Sequence, residues 1–344
     1  MGIPRCVALL ALVVALAPTV PSQTPQLSVL IRQGQDALDA SDFARATHSF
    51  EQARQIAPDS LEANRGLVLS YLQEGRLADA EQIGQAAVGH WPNDAKLQHW
   101  LGLVYFKKAQ NSSALAALRR SETLDGTHYD IHFDIALVLL SDASYAPAAT
   151  ELEKAIKLDP KAALPHVLLG RAYQNTNRSM QALEQFQAAL RLDPTIPLGH
   201  YHLGFAYASL GRNAEAIVEY EKELQHSARN PVVLYQLGHC QVEAGEWESA
   251  IEHLQSATEI EPNNADAFYD LGKALFLEGD AEGAMPALRR SIALKPSNPT
   301  PHYQLSRALD KVGKKEEAKQ ELEAFAALKK AQPVTGGMAS GPIQ

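Results

Sequence analysis

The chain repeats itself every 34 residues. Leu169 and Gly170 are followed by Tyr173, Ala182, Phe186, Ala189 and Pro194, and steps of 34 from Gly170 reach Gly204, Gly238 and Gly272 in one direction and Gly102 in the other. Nine units, starting at residues 27, 61, 95, 129, 163, 197, 231, 265 and 299 and ending at Gln332, fit without an insertion. A fixed period of this length argues against a globule with one central core. Each unit can bury its apolar surface only against its neighbours, which predicts a linear stack.

With each unit numbered from 1, apolar or aromatic residues recur at positions 4, 7, 8 and 11, one face of a helix at 3.6 residues per turn. This helix A should stop near position 15, where Gly75, Gly211, Gly245, Gly279, Gly313 and Asn177 can take the left-handed conformation that ends a helix. A second helix, B, carries alanine at position 20 in every unit (Ala46, Ala80, Ala114, Ala148, Ala182, Ala216, Ala250, Ala284 and Ala318), so two helices should cross closely there. Position 32 is Pro58, Pro92, Pro160, Pro194, Pro262 or Pro296 in six units, which cannot continue a helix and resets the chain.

These residues, in register over about nine tenths of the chain, resemble the tetratricopeptide repeat family. The resemblance implies an all-α, right-handed α-solenoid superhelix of paired antiparallel helices, with a concave groove lined by the A helices that holds peptides, helices or whole proteins. Two specialised versions are not matched. The clamp for chaperone C-terminal carboxylates implies Lys at 5 and Asn at 9, and no unit has either. The asparagine ladder of O-linked sugar transferases at position 6 is replaced by Arg32, Gly66, Trp100, Asp134, Leu168, His202, Gln236, Asp270 and Gln304.

Some units depart from the pattern. Gly84 stands at position 24 of the second unit, where Phe50, Phe186, Tyr220 or a leucine stands elsewhere, so this unit is expected to be the weakest in the stack. Pro286 lies inside the eighth helix B and should bend it. Pro147, Pro165 and Pro301 lie near helix starts, where proline is tolerated.

At the N-terminus, Arg5 precedes an apolar run from Cys6 to Ala17, then Pro18, Pro21 and Ser22, the layout of a secretory signal peptide over residues 1–22. The run is too short for a comfortable membrane span, so the mature protein is expected to be exported, periplasmic or extracellular, with an uncleaved membrane tether as the alternative. Residues 23–26 read as a short lead-in, 27–332 as the solenoid, and 333–344, rich in Gly, Pro and Ser, as a disordered tail. The net charge of −9 disfavours nucleic acid as a partner. Cys240 is the one cysteine beyond the leader, so no internal disulfide can form.

Positions 2, 5, 9 and 12 of helix A point away from its packing face and are expected to line the groove. In units two to four they are mostly apolar: Leu69, Leu72, Leu103, Phe106, Phe133, Leu137 and Leu140, with Trp100 beside them at position 6. In units six to nine, position 5 is Tyr201, Tyr235, Tyr269 and Tyr303, while position 9 supplies Arg171 one unit earlier, then Phe205, His239, Lys273 and Arg307. The expectation is a two-part channel, apolar toward the N-terminal half and tyrosine-plus-base toward the C-terminal half, although Asp130, Asp134, Glu243, Asp266 and Asp270 interrupt it. Aromatic anchors beside cations are typical of binding hot spots.

No phosphate loop, nucleophile elbow or paired-histidine metalloprotease motif occurs. His128 with His132, and His200 with His202, lack the spacing and companion ligands of a metal site, and the histidines at position 4 are expected to pack. Asn111 and Asn177 match the glycosylation pattern, which has meaning only in a eukaryotic secretory route. The expectation is therefore a non-enzymatic interaction scaffold with no cofactor, metal or catalytic residue, binding a protein or peptide during assembly of a larger complex. The alternative is a structural subunit of an envelope polysaccharide or glycan export or secretion machine.

Overall fold

The computed structural model describes residues 24–331; the signal-peptide and tail readings of 1–22 and 333–344 lie outside them. The chain is all-α, with no strand among the described residues, and forms two compact bodies that divide after Asp125. The first holds three helix hairpins: α1 (Thr24–Asp39), α2 (Phe43–Ile56), α3 (Leu61–Glu74), α4 (Leu77–His90), α5 (Ala95–Lys107) and α6 (Asn111–Leu124). The second holds six: α7 (Tyr129–Ser141), α8 (Tyr145–Leu158), α9 (Ala163–Asn175), α10 (Ser179–Leu192), α11 (Gly199–Ser209), α12 (Asn213–His226), α13 (Pro231–Ala244), α14 (Trp247–Ile260), α15 (Ala265–Glu278), α16 (Ala281–Leu294), α17 (Pro299–Lys311) and α18 (Lys315–Ala331). Within each body the hairpins stack in chain order, as an α-solenoid does. Residues 24–26 of the expected lead-in form the first turn of α1, where Pro25 costs no intrahelical bond.

The close crossing forecast at position 20 is present, with all nine alanines buried. Position 8 completes it. A methyl group on Gly170 would sit 2.5 Å from the Phe186 ring, and one on Gly102 2.7 Å from Leu118, so the position 24 side chain lies directly on the glycine backbone. In the second unit the sizes are exchanged: Val68 stands at position 8 and is fully buried with Ala87 and Leu97. The room over Gly84 is taken by Leu101 of α5, whose Cδ1 is 3.0 Å from where a Cβ would be. The gap expected from Gly84 alone is thus filled by the following hairpin.

Five A helices begin with a side-chain cap: Ser60, Asp94, Asn230, Asn264 and Asn298 accept backbone N–H groups of the first turn. Every A helix ends in the same left-handed turn. Gly75, Gly211, Gly245, Gly279, Gly313 and Asn177 adopt it as expected, but so do Ser41, Ala109 and Ala143, at φ of 57°, 56° and 53°. The turn is held by a bond from position 16 back to position 11, for example Gln110 N to Tyr105 O at 2.9 Å and Ser144 N to Leu139 O at 2.8 Å. The turn is thus adopted even by residues that do not favour it.

The polar side chains of the interior form two repeating links. Within hairpins, the position 4 histidine donates from Nδ1 to position 23 of helix B: His132 to Glu151 at 2.8 Å, His166 to Gln185 at 2.8 Å, His200 to Glu219 at 2.6 Å and His302 to Glu321 at 2.6 Å. Between hairpins, the position 11 tyrosine pairs with position 25 of the preceding helix B: Tyr71 with Glu51, Tyr105 with Gln85, Tyr173 with Glu153 and Tyr207 with Gln187. Arg76, Arg178 and Arg212 lie over the rings of Tyr71, Tyr173 and Tyr207, with guanidinium carbons 4.1 to 4.6 Å from the ring centres.

Two irregularities remain in the second body. Helix α11 starts late, after Leu198 enters the left-handed region at φ 59°. Helix α16 runs unbroken through Pro286. Tyr220, fully buried at position 24 of its unit, has a hydroxyl with no hydrogen-bond partner among the described residues.

Two outcomes follow for stability. Ala109→Gly and Ala143→Gly relieve left-handed alanine at some cost in unfolded-state entropy, and each should raise stability by about 0.5–1 kcal/mol, read as a higher thermal midpoint. Tyr220→Phe places at position 24 the residue found at Phe50 and Phe186. Removing the orphan hydroxyl should stabilise by about 1 kcal/mol, and a lower midpoint would mean the hydroxyl is satisfied by water.

Candidate functional site

Each body presents one face made by its A helices. In the first, Trp100 lies half-buried against Val68, Ala87 and Leu97, and Leu103 and Phe106 are likewise half-buried. Leu72 does not line this face as expected. It is 1% exposed in a cluster with Phe50, Leu67 and Val104, because position 12 falls at the border of the face and α5 covers it.

In the second body, Phe133 stacks on Tyr129 with ring centres 5.4 Å apart, and Phe133 and Leu137 pack half-buried against the cluster around Leu169 and Phe186. Farther along, Tyr201, Tyr235 and Tyr269 are half-buried and Tyr303 is exposed. Tyr201 packs beside Phe205 and Tyr220, Tyr235 beside His239, and Tyr303 against Phe325 of α18. Burial raises the hydroxyl pKa of Tyr201, Tyr235 and Tyr269. They stay protonated, and none of the four position 5 hydroxyls makes a hydrogen bond with a described residue. The position 11 tyrosines differ, since their hydroxyls are bonded to the preceding helix B. The face therefore presents four hydrogen-bonding hydroxyls on apolar rings, one per hairpin.

The charges on this face are arranged differently from the expectation. His239 donates from Nδ1 to Asp270 Oδ2 at 2.8 Å, and Lys273 Nζ donates to Glu243 Oε1 at 2.6 Å. Both bonds join α13 to α15. The bases at position 9 meet acids 31 and 30 residues away, so two of the expected cations are internally neutralised. The legible signal was an acid at position 6 of the next unit for His239 and at position 13 of the preceding unit for Lys273, visible only when adjacent units are read as a pair. The hydrogen bond that His239 donates to Asp270, and the Asp270 charge, raise the His239 pKa.

Arg171 and Arg307 remain. Both are exposed, and neither pairs with an acid among the described residues. Arg171 lies near enough to Tyr201 and His202 to act on both electrostatically. Arg307 lies over the Phe276 ring, 4.7 Å from its centre, and donates to Gln304 Oε1 at 3.3 Å. His202 stacks on Phe186 at 5.3 Å, and burial pushes its pKa down to about 4, so the ring is neutral near pH 7. Burial pushes the Cys240 thiol up to about 11, which suits a packed side chain and not a nucleophile. The arrangement can grip apolar and hydrogen-bonding groups; it assembles no nucleophile, base and orienting partner of the kind bond chemistry needs.

Comparisons with known proteins agree with the repeat architecture. Tetratricopeptide repeat family models match residues 31–95 and 167–231. Two further TPR models match 240–279 and 275–333. Anaphase-promoting complex subunit 3 of Schizosaccharomyces pombe is 27% identical over 154 residues, covering 45% of this chain and 23% of that protein. The BBSome complex member BBS4 homolog of Drosophila melanogaster is 29% identical over 164 residues, covering 46% and 32%. The chain thus spans less than a third of the length of these curated relatives. Among solved structures, YrrB, described as a TPR protein with an unusual peptide-binding site, superposes with a TM-score of 0.50 at 22% identity, covering 54% of this chain and 96% of that one. The APC/C hetero-tetramer Cut9-Hcn1 gives 0.51 at 18% identity, covering 84% and 57%. At these identities the two structures share the fold. Repeat period, hairpin stacking and family models converge, and the chain belongs to the tetratricopeptide repeat family.

Proposed function

We propose that this protein is a non-enzymatic scaffold that holds an extended peptide or protein segment against the A-helix face of its second body, as part of assembling a larger complex. The observation that carries the reading is the row of tyrosine hydroxyls at Tyr201, Tyr235, Tyr269 and Tyr303 with no hydrogen-bond partner among the described residues, beside Arg171 and Arg307, which pair with no acid there. A bound backbone offers carbonyl groups to such donors, and the rings supply contact area at low entropic cost. The relatives named above belong to multiprotein complexes, and YrrB has a peptide-binding site, which supports the same use here. His239 and Lys273 serve another purpose, since each ties neighbouring A helices together. Work outside the cytoplasm is part of the proposal and rests on the charged and apolar residues of the leader. No described helix is long and apolar enough to cross a membrane.

Peptides selected from a displayed random library against the whole protein should lose affinity about tenfold or more on Tyr269→Ala or Arg307→Ala and be unaffected by Glu184→Ala on a B helix. Equal losses at all three positions, or loss of helicity in step with binding, would overturn the assignment. The locking role of His239 is tested by titration. Its raised pKa means the stabilisation is fully present below the ordinary value of 6.5 and is lost as pH rises through the folded value. By NMR, His239 should titrate above 6.5 and His202 near 4, and Asp270→Asn should return His239 toward its ordinary value.

A further inference from the structure

The turns from helix B to the next helix A all lie along one edge of the second body, because the hairpins are antiparallel and stacked in order. Three consecutive turns on this edge, after α8, α10 and α12, differ from the rest. Position 2 is polar or charged in units one to four, eight and nine, but is Leu164, Leu198 and Val232 here. These three side chains are 50%, 40% and 43% exposed, and Leu158 and Leu192 at the ends of α8 and α10 are 43% and 41% exposed. Basic residues follow the same restriction: at positions 29 and 33 they occur in no unit except as Lys157, Arg191, Lys161 and Arg229. All four are exposed and make no ion pair with a described residue. Of the acids in these turns, Asp159 accepts the Lys161 N–H at 3.0 Å and Asp193 the Thr195 N–H at 2.9 Å, and neither makes an ion pair with a described residue.

Internal packing does not account for this substitution pattern. Ala162 and Leu198 stand before α9 and α11, where Ser, Asp or Asn caps five other A helices, so these starts forgo their cap bonds. A chain of net charge −9 has gathered unpaired cations and exposed leucines on one short edge. Each turn sets exposed aliphatic side chains beside at least one cation, Leu158 and Leu164 with Lys157 and Lys161, Leu192 and Leu198 with Arg191, and Val232 with Arg229. A protein partner needs a contiguous, complementary apolar patch, whereas a bilayer interface accepts separately inserted side chains while its phosphates meet the cations. We propose that this edge is a peripheral contact for an anionic lipid surface. The edge borders the A-helix face, whose position 2 it shares, and the proposal does not depend on the peptide-binding reading.

The test is co-sedimentation of the protein with phosphatidylcholine vesicles, with and without phosphatidylserine. Binding should require phosphatidylserine and fall as salt is raised. Replacing Lys157, Lys161, Arg191 and Arg229 together by Gln should lower the partition coefficient by at least about a hundredfold, at roughly fivefold per cation. Leu164→Ser with Leu198→Ser should lower it severalfold at unchanged helicity, because both side chains are exposed. Equal sedimentation with both vesicle types, or binding unchanged in the Gln variant, would overturn the proposal. So would absence of vesicle binding together with a self-association, seen by sedimentation velocity, that the same variants abolish, since the edge would then serve a protein contact.

Discussion

The structure rests on the close approach of the two helices within each hairpin. Alanine at position 20 removes side-chain bulk from helix B, and glycine at position 8 in most units removes it from helix A, so that one large residue at position 24 can lie on bare backbone. The second unit shows that the constraint concerns summed volume and not residue identity: Val68 and Gly84 exchange sizes, and Leu101 fills what is left. A repeat tolerates such an exchange only if its neighbour takes part, which ties each hairpin to the next.

Because helix pairs are held so closely, the polar side chains between them must find partners at fixed offsets. The histidines at position 4 meet this demand within a hairpin, and the tyrosines at position 11 meet it across the junction. Tyrosines at position 5 face the other way and carry hydroxyls that no described residue engages. The same residue type thus serves as a joint at one offset and as a candidate contact at another, and only the register tells them apart.

This difference marks what the sequence could and could not disclose. The hairpin order, the packed alanines and the glycine-ended helices were legible because each depends on one residue type recurring at one offset. Leu72 was misplaced because position 12 borders two faces, and a neighbouring helix decides which one it joins. The pairing of His239 with Asp270 and of Lys273 with Glu243 was hidden for a related reason: it connects different units, and charges read one unit at a time look free. Left-handed Ala109 and Ala143 carry no signal in residue type, since alanine does not favour the conformation and a backbone bond from position 16 back to position 11 closes the turn.

The links between successive hairpins also change along the second body. Tyr173 and Tyr207 fasten the junctions after α8 and α10 on the side of helix B, whereas His239 and Lys273 fasten the one after α14 on the A-helix face itself. Hinge and grip coincide there: anything that competes for Asp270 or Glu243 also alters how stiffly those two hairpins are coupled.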